Sequence, residues 1–116
     1  MAIARDLGAH VIGLSRTFPT VTITGPRQSG KTTLCRQLFP EKAYVSLEAI
    51  DQRAFATTDP RGFLDALRGG AVIDEVQRAP GLLSYLQVEV DARPDVGRFV
   101  LTGSANLALL ATVSQS

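Results

Sequence analysis

The stretch with the clearest chemistry is an octapeptide that begins at Gly25 and reads G-P-R-Q-S-G-K-T. Its pattern, G-x-x-x-x-G-K-T, is typical of a loop whose glycines let the backbone curl, so that successive N–H groups point at phosphate oxygens. A helix that starts directly after such a loop adds the partial positive charge of its N-terminus. Lys31 would reach the β- and γ-phosphates, and the Thr32 hydroxyl would ligate Mg²⁺. The octapeptide therefore predicts a nucleoside triphosphate site.

The flanking residues agree with this interpretation, because a loop of this kind joins a strand to a helix. Residues 21–24 are rich in β-branched side chains, and residues 31–39 carry apolar side chains at helical spacing. We expect the nucleotide to contact the loop and the first turn of the helix. The nine candidate binding residues are Gly25, Pro26, Arg27, Gln28, Ser29, Gly30, Lys31, Thr32 and Thr33.

Two carboxylates, Asp74 and Glu75, directly follow the short apolar run 71–73, which predicts a buried strand. An aspartate at the end of such a strand can orient Mg²⁺, usually through a water, opposite the Thr32 ligand. An adjacent glutamate can polarise the water that attacks a γ-phosphate. The pair is therefore interpreted as a metal ligand, Asp74, and a catalytic general base, Glu75. The alternative is a solvated acidic turn after a strand.

A third polar group ends the last predicted strand and reads Thr102-Gly103-Ser104-Ala105-Asn106. A polar side chain at the tip of the strand between the two motif strands can contact the γ-phosphate or orient the attacking water. Ser104 and Asn106 are the better placed candidates for this catalytic role. Serine and asparagine at a strand exit are also common helix N-caps, which is the competing interpretation.

Hydrophobic periodicity predicts that strands and helices alternate along the chain, which is typical of an α/β fold with a parallel sheet and right-handed crossovers. The predicted strands are 21–24, 43–47, 71–73 and 98–104. The predicted helices cover about 2–16, 31–39, a turn or two near Ile50, 59–70 with Asp59 as N-cap, a segment from about Pro80 to Arg93, and a segment around Leu107.

The composition excludes several other classes of protein. Twelve basic and eleven acidic side chains make the 116-residue chain nearly neutral, so no broad field for nucleic acid or anionic lipid is implied. No basic stripe supports direct nucleic-acid binding. The single cysteine, Cys35, excludes an intrachain disulfide and is expected to be a buried core thiol. The N-terminus has no long apolar run to act as a signal or membrane span, so a cytoplasmic location is expected.

Three segments, GPRQSGKTTL, VIDEVQRAP and FVLTGSANLALL, together resemble the ATPase domain of a prokaryotic AAA+ group, AAA_14. The resemblance runs from about Phe18 to the last residue, with three motifs in the right order. It implies a three-layer P-loop NTPase fold, ATP and Mg²⁺ as cofactors, and ATP hydrolysis by a complete parent module. It also implies that residues 1–17 form an N-terminal helix and lead-in, that 18–116 form a partial AAA+ domain, and that Ser104 or Asn106 is the first sensor.

The same resemblance implies a sheet of order 5-1-4-3-2, of which this sequence supplies strands 1 to 4 in the order 1-4-3-2. The fifth strand, the arginine finger, the second sensor and the helical lid are expected to be absent from this chain. Loss of the fifth strand would leave backbone donors and acceptors of the first strand open. The sequence therefore predicts self-association through that edge, or marginal stability.

Two functions of different classes fit these observations. The first is Mg²⁺-dependent ATP binding, with ATP hydrolysis by a complete parent AAA+ module. The alternative is a nucleotide-binding switch or interaction module with little or no turnover, whose protein target is unknown. A small-molecule kinase is disfavoured because Glu75 would be superfluous there. ATP is preferred over GTP by the resemblance alone, since no base-reading N-K-x-D motif occurs.

Overall fold

Four strands form one parallel sheet, in the order β1-β4-β3-β2. The structure, a computed structural model, describes residues 10–24 and 30–103. This order and the parallel direction confirm the predicted α/β P-loop NTPase-like core. The strands are β1 (Thr20–Thr24), β2 (Ala43–Ser46), β3 (Ala71–Asp74) and β4 (Phe99–Gly103).

Helices connect the strands, as the alternating pattern predicted. The helices are α1 (within 10–15), α2 (Lys31–Leu38), α3 (Ile50–Thr58), α4 (Pro60–Asp65) and α5 (Leu82–Ala92), and a 3₁₀ helix covers Val76–Arg78. The sequence did not predict the 3₁₀ helix, and α5 begins at Leu82 rather than near Pro80. In the part of the chain that the structure describes, no helix is long and apolar enough to cross a lipid bilayer. The predicted helix around Leu107 lies outside the described residues.

The start of α4 follows its predicted cap, whereas its end does not. The Asp59 side chain accepts a hydrogen bond from the Gly62 backbone N–H at 3.1 Å, and Pro60 occupies the first turn. The helix ends at Asp65 rather than at the expected glycine pair, and a turn leads to Gly70 at φ 101°. A Cβ on Gly70 would overlap the Arg98 carbonyl oxygen, so glycine is required where the chain enters β3.

Strand side chains alternate between two helical layers, which makes the fold three-layered. Ile73 and Leu101 pack on one face with apolar residues of α4 and α5. Val72 and Val100 pack on the other face with Val11 of α1 and with Cys35 of α2, which is fully buried as predicted. Because alternation has a period of two, Asp74 shares the face of Val72, and Thr102 shares the face of Val100. The polar ends of β3 and β4 therefore lie on the side of the sheet that α2 covers.

Candidate functional site

The residue before α2, at the end of the predicted phosphate loop, has a backbone conformation that favours glycine. Gly30 lies at φ 85°, in the left-handed region that favours glycine, and immediately precedes α2. Lys31 is the first helical residue, Thr32 lies in the first turn, and Thr33 is exposed. The other predicted loop residues, 25–29, and the side chain of Lys31 lie outside the described residues.

Thr32 and Asp74, predicted as the two metal ligands, lie in contact. The Thr32 hydroxyl donates a hydrogen bond to Asp74 Oδ2 at 2.7 Å, although the two residues are 42 positions apart in the sequence. Asp74 is the last residue of β3 and only 3% exposed. Parallel pairing brings the end of β3 beside the start of α2, so the fold itself produces this contact.

Two further hydroxyl groups, those of Tyr44 and Thr102, bond the Asp74 carboxylate. The sequence analysis assigned no role to Tyr44, and it offered Thr102 only as a less well placed candidate than Ser104 and Asn106 for contacting the γ-phosphate or orienting the water. The Tyr44 phenol on β2 donates to Asp74 Oδ2 at 2.6 Å, and the Thr102 hydroxyl on β4 donates to Asp74 Oδ1. β2 and β4 are the two neighbours of β3 in the sheet. Each oxygen of the carboxylate is thus bonded from a different neighbouring strand. Alternation places Tyr44 and Thr102 on the face of α2, but finding their partner requires the strand register.

The Tyr44 side chain is fixed from two directions. Its hydroxyl contacts Asp74, and the guanidinium of Arg36 lies 4.8 Å from the centre of its ring. Partial burial, together with the hydrogen bond to Asp74 and the charge of that carboxylate, raises the pKa of Tyr44 to about 12. The phenol therefore keeps its proton, and remains a donor, throughout the physiological range.

Glu75 has an unusual backbone for a residue with a side chain. Its φ of 59° makes it the one non-glycine residue with positive φ among residues 10–24 and 30–103. Its N–H donates to the Thr102 hydroxyl at 3.2 Å, and its Oε1 accepts a hydrogen bond from Gln77 Nε2 at 2.7 Å. Left-handed non-glycine residues cluster at functional sites, where surrounding contacts maintain them. The contacts made by Thr102 and Gln77 are of that kind.

The sequence profile of the AAA domain family, AAA_14, matches residues 17–116. The chain belongs to this family. The AAA domain thus extends over most of the chain, and membership indicates nucleotide binding.

Two curated mycobacterial proteins resemble this AAA domain closely. They are the uncharacterized protein Mb2031c of Mycobacterium bovis and the uncharacterized protein Rv2008c of Mycobacterium tuberculosis, and each is 38% identical over 115 residues. The matched region covers 97% of this chain but 26% of each relative, so the chain spans about a quarter of their length. No solved structure matches the chain significantly.

The donor set of this AAA domain suits Mg²⁺ held jointly by protein and phosphate. Within the described residues, no group of three or more His, Cys, Asp or Glu side chains could hold a metal by itself. Mg²⁺ commonly binds through one or two carboxylates together with substrate phosphates. A buried aspartate beside a threonine hydroxyl at a helix start fits that pattern.

The two sensor candidates remain predictions. Ser104 and Asn106 both lie outside the described residues. Thr102, in the same polar segment, is fully buried at the end of β4 and connects Asp74 to the Glu75 backbone. Through Thr102, this segment therefore contacts both Asp74 and Glu75.

Proposed function

We propose that this AAA domain binds ATP together with Mg²⁺, and that the parent protein hydrolyses the bound ATP. The observation that carries the proposal is the 2.7 Å contact between Thr32 Oγ1 and Asp74 Oδ2. A hydroxyl at the start of a helix and a carboxylate at the end of a parallel strand are the two protein groups that a nucleotide-bound Mg²⁺ requires. Family membership supports the nucleotide, and the donor chemistry supports the metal.

Each predicted residue has a role in this proposal. The backbone N–H groups of residues 25–30 would surround phosphate oxygens, and Lys31 would neutralise charge on the β- and γ-phosphates. Thr32 and Asp74 would hold Mg²⁺, which when bound offsets the negative charge of the phosphates. Glu75 would accept the proton of the attacking water, while Ser104 or Asn106 would orient that water or contact the γ-phosphate.

One observation favours the second function, a switch that holds nucleotide without turnover. Glu75 is only 5% exposed, and its carboxylate already accepts a hydrogen bond from Gln77. A general base must lie within hydrogen-bond reach of the water that it activates. Turnover by this mechanism therefore requires that water reach the largely buried Glu75 carboxylate, whereas binding alone does not.

Calorimetric titration with ATP and a phosphate-release assay, both with Mg²⁺, test the proposal. Lys31→Ala should abolish ATP binding, whereas Lys42→Ala, which removes the other lysine of the chain, should bind as wild type does. Glu75→Gln should bind ATP and release no phosphate, with the exposed Glu41→Gln as its matched control.

The outcomes separate the two functions. Phosphate release by wild type that is lost in Glu75→Gln supports the ATPase. Tight binding with no phosphate release, by this chain and also by the parent protein, supports the switch. Equal ATP affinity in wild type and Lys31→Ala would show that the phosphate loop does not bind nucleotide, and both functions would be wrong.

The predicted self-association is also a proposal about this chain. In the described sheet, β1 lies at the edge and pairs with β4 alone. An edge strand with an open backbone can pair with a second copy. Analytical ultracentrifugation should show a dimer that dissociates on dilution, and a monomer at high concentration would contradict the proposal.

A further inference from the structure

The Asp74 carboxylate is hydrogen-bonded by residues of the sheet as well as by a residue of α2. Thr32 approaches it from α2, whereas Tyr44 and Thr102 approach it from β2 and β4. The sheet contacts arise from strand register and involve no residue of the phosphate loop. Asp74 therefore has an orientation of its own before any ligand arrives.

Register explains how Tyr44 reaches this carboxylate. Tyr44 pairs with Val72, and Ser46 pairs with Asp74, so the ring lies two residues behind Asp74 along the strands. Two residues of a strand cover about 6.6 Å. The ring packs with apolar residues of α2, and its hydroxyl spans this offset to reach Asp74 Oδ2, at 2.6 Å.

Arg36 completes the arrangement. It follows Thr32 by one helical turn, so both side chains lie on the same face of α2. Its guanidinium lies 4.8 Å from the centre of the Tyr44 ring. Helix α2 thus makes two contacts here. Thr32 contacts the Asp74 carboxylate, and Arg36 contacts Tyr44, the residue that orients this carboxylate.

We propose that Tyr44 is a positioning residue for the metal: its hydroxyl keeps Asp74 Oδ2 aimed at the Mg²⁺ that Thr32 and Asp74 would share. This inference rests on the proposed function. Outer groups that hydrogen-bond a metal ligand fix its orientation, and their loss typically costs about 10–100-fold in metal affinity or activity. Tyr44 acts through Asp74 and does not touch nucleotide or metal.

The test measures Mg²⁺ dependence instead of turnover. ATP affinity of the full chain is determined calorimetrically in EDTA and then at increasing free Mg²⁺, which gives the Mg²⁺ concentration for half of the affinity gain. Tyr44→Phe removes one oxygen atom and keeps the ring beneath Arg36. The matched control is Tyr85→Phe, which removes the other phenol of the chain, on the exposed side of α5.

We expect Tyr44→Phe to leave the affinity in EDTA unchanged and to raise the half-maximal Mg²⁺ concentration about tenfold or more. Tyr85→Phe should behave as wild type does. In an Asp74→Asn background, Tyr44→Phe should have no further effect, because its role passes through the carboxylate. A merely structural tyrosine would lower the affinity in EDTA as well.

Three results would overturn the inference. The first is a Tyr44→Phe variant with the Mg²⁺ dependence of wild type, and the second is an equal loss of affinity with and without metal. Both leave nucleotide binding by wild type intact, so the proposed function would survive. The third is a wild type whose ATP affinity ignores Mg²⁺, which would remove the proposed metal site and this inference together.

Discussion

The two ends of the sheet each bury a charged side chain, and they hold it in different ways. At the carboxyl end, Asp74 is bonded by the hydroxyls of Thr32, Tyr44 and Thr102. At the amino end, Arg98 precedes β4 with a side chain only 2% exposed, and its guanidinium pairs with the carboxylate of Glu89.

The guanidinium of Arg98 is already bonded by other groups of the protein. Besides Glu89, the guanidinium donates to the backbone carbonyls of Arg68 at 3.1 Å and Arg93 at 3.4 Å. The carboxylate of Glu89 neutralises Arg98, whereas the hydroxyls of Thr32, Tyr44 and Thr102 orient the carboxylate of Asp74. Arg98 therefore stabilises the fold at the amino end, whereas under the proposed function the hydroxyls at the carboxyl end orient a ligand of Mg²⁺.

Breaking the ion pair at the amino end should have the largest effect on stability. Glu89→Ala leaves a buried guanidinium without its opposite charge, and we expect a loss of about 3 kcal/mol in the free energy of unfolding, because Glu89 itself is partly exposed. Urea denaturation measures this loss.

The double variant Arg98→Met/Glu89→Ala should recover part of that loss, since no buried charge remains. Glu41→Ala, at an exposed site, should change stability by less than about 0.5 kcal/mol. If Glu89→Ala proves as stable as Glu41→Ala, the amino end does not stabilise the fold in this way.

At the carboxyl end, the largest effect should come from Thr102→Val. The fully buried hydroxyl donates to Asp74 and accepts from the Glu75 N–H, so valine leaves a buried donor unpaired. We expect a loss of about 2 kcal/mol in the free energy of unfolding, and weaker Mg²⁺ dependence of ATP binding.

Thr102→Ser keeps the hydroxyl and should restore the Mg²⁺ dependence, even if the lost methyl group lowers stability slightly. Calorimetric ATP titrations and urea denaturation of wild type, Thr102→Val and Thr102→Ser compare the effect on Mg²⁺ dependence with the effect on stability. Normal Mg²⁺ dependence in Thr102→Val would mean that this hydroxyl does not orient Asp74.

A smaller effect is expected from Arg36→Leu. The guanidinium stacks on Tyr44 from an exposed position, so its removal should cost about 0.5–1 kcal/mol of stability. Arg61→Leu removes a comparable stack, at 6.0 Å from the Tyr85 ring, and serves as control. Both should lower thermal stability to a similar small extent, and Arg36→Leu alone should raise the Mg²⁺ requirement. An equal Mg²⁺ requirement in Arg36→Leu and Arg61→Leu would mean that Arg36 does not influence the proposed metal site.

The titration of Tyr44 should leave stability at neutral pH unchanged. The chain has two tyrosines and no tryptophan, so absorbance of Tyr85→Phe near 295 nm reports Tyr44 alone. Its midpoint should lie near 12, against 10.0 for an ordinary tyrosine. Because the folded-state pKa is raised, the stabilisation from Tyr44 is complete below pH 10 and is lost between pH 10 and about 12. A midpoint at 10 would mean that the phenol is neither buried nor bonded to Asp74 as the structure shows.

The sequence predicted the sheet order and most of the elements because their signals are local or follow from the family resemblance. Asp59 and Pro60 marked the start of α4, and the apolar run before Asp74 marked β3. The contact between Thr32 and Asp74 followed from two motifs whose partnership is fixed by the parallel sheet.

The rest depended on register, which one sequence does not display. Tyr44 lies in an ordinary strand, and its partnership with Asp74 appears only once β2 and β3 are aligned. The 3₁₀ helix after Glu75 has no periodic signal, because three residues are too few to form one. The chain enters this 3₁₀ helix through the left-handed backbone of Glu75, and residue type does not predict that backbone angle.

The left-handed backbone at Glu75 also limits which residues this position tolerates. Glycine or asparagine suits φ 59° better than glutamate does, and β-branched residues suit it least. Among variants selected only for folding, glutamate should therefore become less frequent at this position. Under the proposed function, variants selected for ATP hydrolysis should keep glutamate here. The difference in glutamate frequency between the two selections then measures how strongly the proposed chemistry opposes the backbone preference at this one residue.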